Sequence, residues 1–135
     1  MSSQYGGPGG PCEGIEMNES ASSVVLSPDA TATVRHTGDH TLVRVVGEMD
    51  EQAAEAAAAL VELAVEGGRP VDVDLSGTTF FCAAGVTWLV RLYQRGTGEV
   101  RVVAASVPVR EVLEACRLPM TSTGGLPSPR HAGAF

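Results

Sequence analysis

The chain has 135 residues and carries 16 acidic against 9 basic side chains, a net charge of −7 that offers DNA or RNA no counterion-release attraction. That length suits one domain rather than a multidomain enzyme, and 44% apolar against 19% charged residues is enough for a core and too apolar for a disordered chain. Only 4% is aromatic, so the core is expected to be tight and built largely from Ala and Val.

Residues 1–23 are rich in Gly, Pro and Ser and read as a flexible tail, residues 119–135 repeat that composition, and the domain is expected over 24–118. Thr31–His36 and Thr41–Val46 are β-branched runs around a Gly38-Asp39 turn, a hairpin pattern. Asp50 can cap a helix of Glu, Gln, Ala and Leu from Glu51 to Glu66, which Gly67-Gly68 stops. Val71, Val73 and Leu75 alternate with Asp72 and Asp74 as a strand. From Gly85 to Arg95, Val86, Leu89, Val90 and Tyr93 recur at helical spacing and predict the buried stripe of a second helix. Val100–Ala104 is a short apolar strand, as expected where helices cover both faces of a sheet. Ser106 can cap a last helix with Pro108 in its first turn and Val109, Val112, Leu113 and Cys116 on its inner face. The order β-β-α-β-α-β-α predicts an α/β domain: a mixed, mostly parallel sheet of about four strands packed with about three helices.

The longest strictly apolar run, Ala56–Val61, is far short of the roughly 20 residues a bilayer needs, and no basic region followed by an apolar stretch opens the chain. Cys12, Cys82 and Cys116 are odd in number and widely spaced, which fits a reducing cytoplasm better than a disulfide framework. His36 and His40 lie across a turn with no carboxylate or Cys at ligand spacing, so no metal or cofactor site is expected. No P-loop, G-x-G-x-x-G or nucleophile elbow is present, and nothing supports catalysis.

Three segments carry a resemblance. Val43-Arg44-Val45-Val46-Gly47-Glu48-Met49-Asp50 is similar to V-x-G-E-[LI]-D, and Val73-Asp74-Leu75-Ser76-Gly77-Thr78-Thr79-Phe80 to V-x-D-L-S-G-[VL]-T-F. Val109 to Leu118 is close to V-R-x-V-L-E-x-[TA]-G-L. In this order and spacing they resemble the STAS domain of bacterial anti-sigma-factor antagonists, over about residues 40–118. The resemblance implies a non-enzymatic, cytoplasmic binding domain. Its partner would be an anti-sigma factor with a serine kinase-type ATPase domain, and its binding would free a sigma factor for transcription.

The chain departs from that family where the family's switch lies. After the Thr-Phe such antagonists carry an apolar residue and then Asp-Ser-Ser-Gly, whose first Ser is phosphorylated. Here Phe81 is followed by Cys82-Ala83-Ala84-Gly85, so Ala83 occupies the acceptor position and has no hydroxyl. A phosphate adds about −1.5 to −2 charges and breaks an apolar contact, so a chain with Ala83 cannot be expelled in that way.

The partner surface is expected to comprise Asp50, Thr79, Phe80, Phe81, Cys82, Ala83, Ala84, Trp88 and Arg91. The resemblance places the acid matching Asp50 beside the phosphorylation loop, and helix capping is a compatible reading. Trp88 falls about 200° from the predicted stripe, beside Arg91 and Arg95, and is expected either at an exposed interface or folded against a neighbouring helix. One of Phe80 and Phe81 should enter the core by strand alternation. Cys82, at a helix start, is the candidate reactive thiol, with Cys116 as a conceivable redox partner. A ligand-binding or transport-accessory STAS module and a thiol redox sensor are the alternative functions.

Overall fold

In a computed structural model, which describes residues 20–123, the two β-branched runs form β2 (Ala30–His36) and β3 (Thr41–Met49) of a hairpin. Its turn is closed by the Thr37 N–H donating to the His40 carbonyl at 2.8 Å. Ahead of them lies β1 (Ser20–Ser27), antiparallel to β2. The chain continues as α1 (Glu51–Val65), β4 (Val71–Phe81), α2 (Ala83–Arg95), β5 (Glu99–Ala105), α3 (Val107–Ala115) and β6 (Thr121–Thr123). The strands form one six-stranded sheet in chain order, β1-β2-β3-β4-β5-β6. The central pairs β3·β4 and β4·β5 are parallel, while β1, β2 and β6 pair antiparallel.

The first half of β1 and all of β6 therefore lie where flexible tails were expected. Ser-Ala-Ser-Ser at 20–23 has no apolar alternation of its own, yet it extends the register of Val24 and Leu26 along β2. Beyond Leu118, the Met120 carbonyl accepts from Val102 N–H at 2.6 Å and β6 follows against β5. The remaining tail residues, 1–19 and 124–135, lie outside the described residues.

The core sits under one face of the sheet. In register, Val34, Val43, Val73 and Val102 form a buried row across four strands, with Ala32 beside Val45 and Val71 beside Val100. The other face carries Arg44–Asp74 at 3.1 Å and Arg101–Asp72 at 3.0 Å. Hydrophobic β5 is thus not covered on both sides, as its composition suggested: Val100 and Val102 are buried and Val103 is 48% exposed. Burial would raise the Asp74 pKa, but hydrogen bonds from Ser76 Oγ and Ser76 N–H and the Arg44 guanidinium together hold it below its ordinary value.

Gly47 (φ +107°) lets the β1–β2 turn close onto β3: a Cβ there would lie 2.0 Å from the Asp29 carbonyl oxygen, which accepts the Glu48 N–H at 2.9 Å. The buried stripe of α2 is Gly85, Trp88, Leu89, Leu92 and Tyr93, rotated from the predicted one, and Val86 and Val90 are only partly covered. The rotation follows from α1, whose inner face offers Ala53, Ala54, Ala57 and Ala64 beside Leu60 and Val61. Where that face is alanine, the large side chains of α2 fill the space between the helices. Tyr93 is fully buried and its Oη–H donates to the Pro119 carbonyl at 2.6 Å, so burial pushes the phenol well above its ordinary pKa.

Helix α3 ends one residue before Cys116. Arg117 takes a left-handed conformation (φ 56°), with Arg117 N–H bonded to the Glu114 carbonyl and Leu118 N–H to the Leu113 carbonyl at 2.9 Å. This double-bonded helix ending returns Leu118 to the core and turns Cys116 outward. Cys116 is therefore exposed rather than on the buried stripe. Among the described residues no helix is long and apolar enough to cross a membrane.

A candidate docking surface at two helix N-termini

Because β3 and β4 are parallel, the helices that follow them begin side by side. Met49 and Phe81 are paired across the two strands, so Asp50 and Cys82, the N-caps of α1 and α2, are neighbours. Cys82 joins the strand ends: its N–H and its Sγ–H both donate to the Met49 carbonyl, at 3.4 and 3.3 Å. It makes no side-chain cap of its own helix. Asp50 does, with Oδ1 accepting the Ala53 N–H at 2.9 Å, so the capping reading describes its bond while its position keeps it in the site.

Asp50, Glu51, Gln52, Phe80, Cys82, Ala83 and Ala84 line one cleft of about 460 Å³. Phe81 is buried and Phe80 is 48% exposed, the split that alternation requires. Ala83 and Thr79 are exposed, and Thr87 Oγ1–H donates to the Ala83 carbonyl at 3.2 Å. Gly85 is the residue on which the first turn of α2 depends. A Cβ there would meet Phe81 Cε1 at 2.9 Å and Met49 Cγ at 3.1 Å, so only glycine lets the helix start against both side chains.

The extra length of β4 sets the site above the rest of the sheet. Two register shifts against β3 bring Thr78 inward, where its Oγ1–H donates to the Val45 carbonyl at 2.8 Å. Ser106, the N-cap of α3, does not cap with its side chain as expected; its Oγ–H donates to the Thr78 carbonyl at 2.5 Å and ties α3 to β4.

Trp88 does not join the exposed surface. It is 4% exposed, and its indole Nε1–H donates to the Ala57 carbonyl at 3.0 Å. Its edge still forms the floor of a groove between α1 and α2, walled by Glu51 and Glu55 on one side and by Thr87 and exposed Arg91 on the other. Glu51, Gln52 and Glu55 were not singled out from the sequence. Their signal was the cap at Asp50, which places the first turns of α1 beside residue 82 once β3 and β4 are neighbours.

Cys82 and Cys116 are free thiols at opposite ends of different helices, the first at the start of α2 and the second at the end of α3. No group of three or more His, Cys, Asp or Glu that could hold a metal occurs among the described residues. The arrangement offers a partly apolar surface with an acidic rim, suited to binding.

Residues 32–119 match the family described as "Mlab, STAS domain". The chain is also similar to the crystal structure of an anti-sigma factor antagonist from Mycobacterium paratuberculosis, at 26% identity and a TM-score of 0.60, covering 70% of this chain and 84% of that one. No curated protein matches it. The matched span takes in β2 to α3, including both helix N-termini and the three segments read from the sequence, and on that basis this chain belongs to the STAS domain family.

Proposed function

We propose that this chain is a non-enzymatic anti-sigma-factor antagonist that binds a kinase-type anti-sigma factor through the cleft between the N-termini of α1 and α2. The observation that carries the reading is Ala83: an exposed methyl at the first position of α2, beside half-exposed Phe80 and where antagonists of this family place the phosphorylated Ser. Exposed apolar groups rimmed by Asp50, Glu51 and Gln52 have the composition of a docking surface. The similarity to a mycobacterial antagonist supports the same class of partner. Without a hydroxyl at 83 the surface stays binding-competent in the presence of ATP, so release would depend on some other event.

The test is to titrate the purified chain with a kinase-type anti-sigma factor, with and without ATP. The expected result is a complex that survives ATP and a chain whose mass does not increase by a phosphate. Failure to bind, or phosphate incorporated at the cleft, would overturn the reading.

A further inference from the structure

Helices α1 and α2 start level at Asp50 and Cys82 and stay level along their length. Trp88 Nε1–H reaches the Ala57 carbonyl at 3.0 Å, and lower down Arg95 Nη2 bonds Glu62 Oε1 at 2.7 Å. The groove between the helices, about 420 Å³, lies above that ion pair, which closes its lower end. Its upper end opens onto the docking cleft, since Glu51 and Ala84 line both. From Ala84 to Arg91 the groove runs about 10 Å along the helix. Its floor is apolar: Ala54 and Ala58 from α1, Ala84 and the edge of Trp88 from α2.

The two walls carry unlike charge. Glu51 and Glu55, one turn apart, stand on α1, and Arg91 stands on α2. All three are exposed, and none takes part in the ion pairs Arg44–Asp74, Arg95–Glu62 or Arg101–Asp72. One turn below Arg91 the same arrangement, an acid of α1 facing an Arg of α2, is closed in the Arg95–Glu62 pair. Higher up the walls stay apart over an apolar floor, and each leaves its charge to a group from outside.

Resting on the reading that the cleft binds an anti-sigma factor, we infer that the groove receives a further segment of the same partner. That segment sets a large apolar side chain on the floor of alanines and Trp88, a cation toward Glu51 and Glu55, and an anion toward Arg91. Small residues on both helices leave room for one large side chain, a knob in a hole of four residues. An apolar anchor filling such a pocket is where interfaces concentrate their binding energy. The charges fix which way round the segment lies, because turning it end for end or side for side brings like charges together. A partner drawn only by the net charge of −7 would be basic throughout, and Arg91 would repel it.

The test is calorimetric titration of a kinase-type anti-sigma factor with the full chain and its variants, with circular dichroism and a thermal melt of each. Glu55→Arg and Arg91→Glu should each weaken binding at least about threefold. Their combination returns the net charge to −7, so long-range attraction is unchanged while both walls are reversed, and binding should weaken at least about tenfold. Ala58→Phe fills the groove without touching the cleft and should also weaken binding at least about tenfold. The melts should stay within a few degrees, since Glu55 and Arg91 are exposed and Ala58 is half-buried on the groove. Arg91→Glu binding as tightly as wild type, or more tightly, overturns the inference, because it reports a uniformly basic partner. So does unchanged affinity for the double reversal or for Ala58→Phe. Where the groove variants bind normally and Ala83→Glu does not, the cleft reading stands and the groove inference falls; a wild-type chain that does not bind removes both.

Discussion

Substituting Ala83→Glu puts into the cleft the kind of charge that a phosphate would bring. In the free protein the side chain is exposed at the first position of α2, where the N-cap Cys82 makes no side-chain capping bond. A carboxylate there gains about 0.3–1 kcal/mol from the helix N-terminus. Asp50 and Glu51 line the same cleft and oppose it through like charge, by a few tenths of a kcal/mol at an exposed site. The two effects nearly cancel, so the melt should move by no more than a degree or two. In the complex the balance differs. The carboxylate would face an apolar contact without a cation, at a cost of about 1–3 kcal/mol for a partly solvated charge, or roughly ten- to a hundredfold in dissociation constant. Calorimetric titration of wild type, Ala83→Ser and Ala83→Glu against the anti-sigma factor, with thermal melts of each, separates folding from binding. Ala83→Ser should bind as the wild type does. Unchanged affinity for Ala83→Glu with an unchanged melt would refute the assignment of this surface.

Other consequences follow from the packing and the charges. Trp88→Phe removes the bond to the Ala57 carbonyl and part of the filling between α1 and α2, so it should destabilise the fold by about 1–2 kcal/mol in urea unfolding followed by circular dichroism, and wild-type Trp emission should be shielded from iodide. Native alkylation mapped by mass spectrometry should modify exposed Cys116 faster than Cys82, whose Sγ is half-buried and bonded to Met49, and the reverse order would contradict the ending of α3. A chain cut to 24–118 loses the Pro119 acceptor of buried Tyr93, the Met120 acceptor of Val102 and half of β1, and should unfold at least about 2 kcal/mol more easily than the full chain. The folded pKa of Asp74 lies below its ordinary 3.8, so its stabilisation is complete above that pH and is lost as the pH falls through the folded value. Asp74→Asn should therefore destabilise at neutral pH and converge on wild type in acid; an equal gap at both pH values would show that the shift does not reach stability.

The central elements were legible because pattern and packing agree there. The Thr31–Val46 hairpin, the Asp50 cap and the alternation of Val71, Val73 and Leu75 are local signals, and the sheet keeps them with small changes of boundary. What was misread depends on contacts across the chain. Ser20–Ser23 and Thr121–Thr123 are strands because β2 and β5 present open edges to them, which a polar sequence does not announce. Trp88 stayed open between an exposed interface and a neighbouring helix because periodicity assigns each helix a single buried face. Packed on both the sheet and α1, α2 covers a wider arc, and an Ala-lined neighbour draws the largest side chain inward. Cys116 was placed on a stripe that continued one residue past the end of the helix, where the left-handed Arg117 turns the chain away.

The site itself separates shape from switching. The role of Gly85 is steric: Phe81 and Met49 leave no room for a Cβ. A side chain there would need the ring of Phe81 to shift, which overpacking data place at about 1–3 kcal/mol, partly offset by up to about 1 kcal/mol of helix propensity. Positions 83 and 84 carry no such burden. Ala83 is exposed and Ala84 half-exposed, and the hydrogen bonds that hold the loop, from Cys82 to Met49 and from Thr87 to the Ala83 carbonyl, use backbone acceptors that do not depend on a Ser. A Ser at position 83 would therefore leave the two helix N-termini in the same relation and add only a hydroxyl. On the proposed function, a cleft whose shape does not depend on a Ser and that offers no hydroxyl at position 83 is the physical basis for expecting binding that ATP does not reverse.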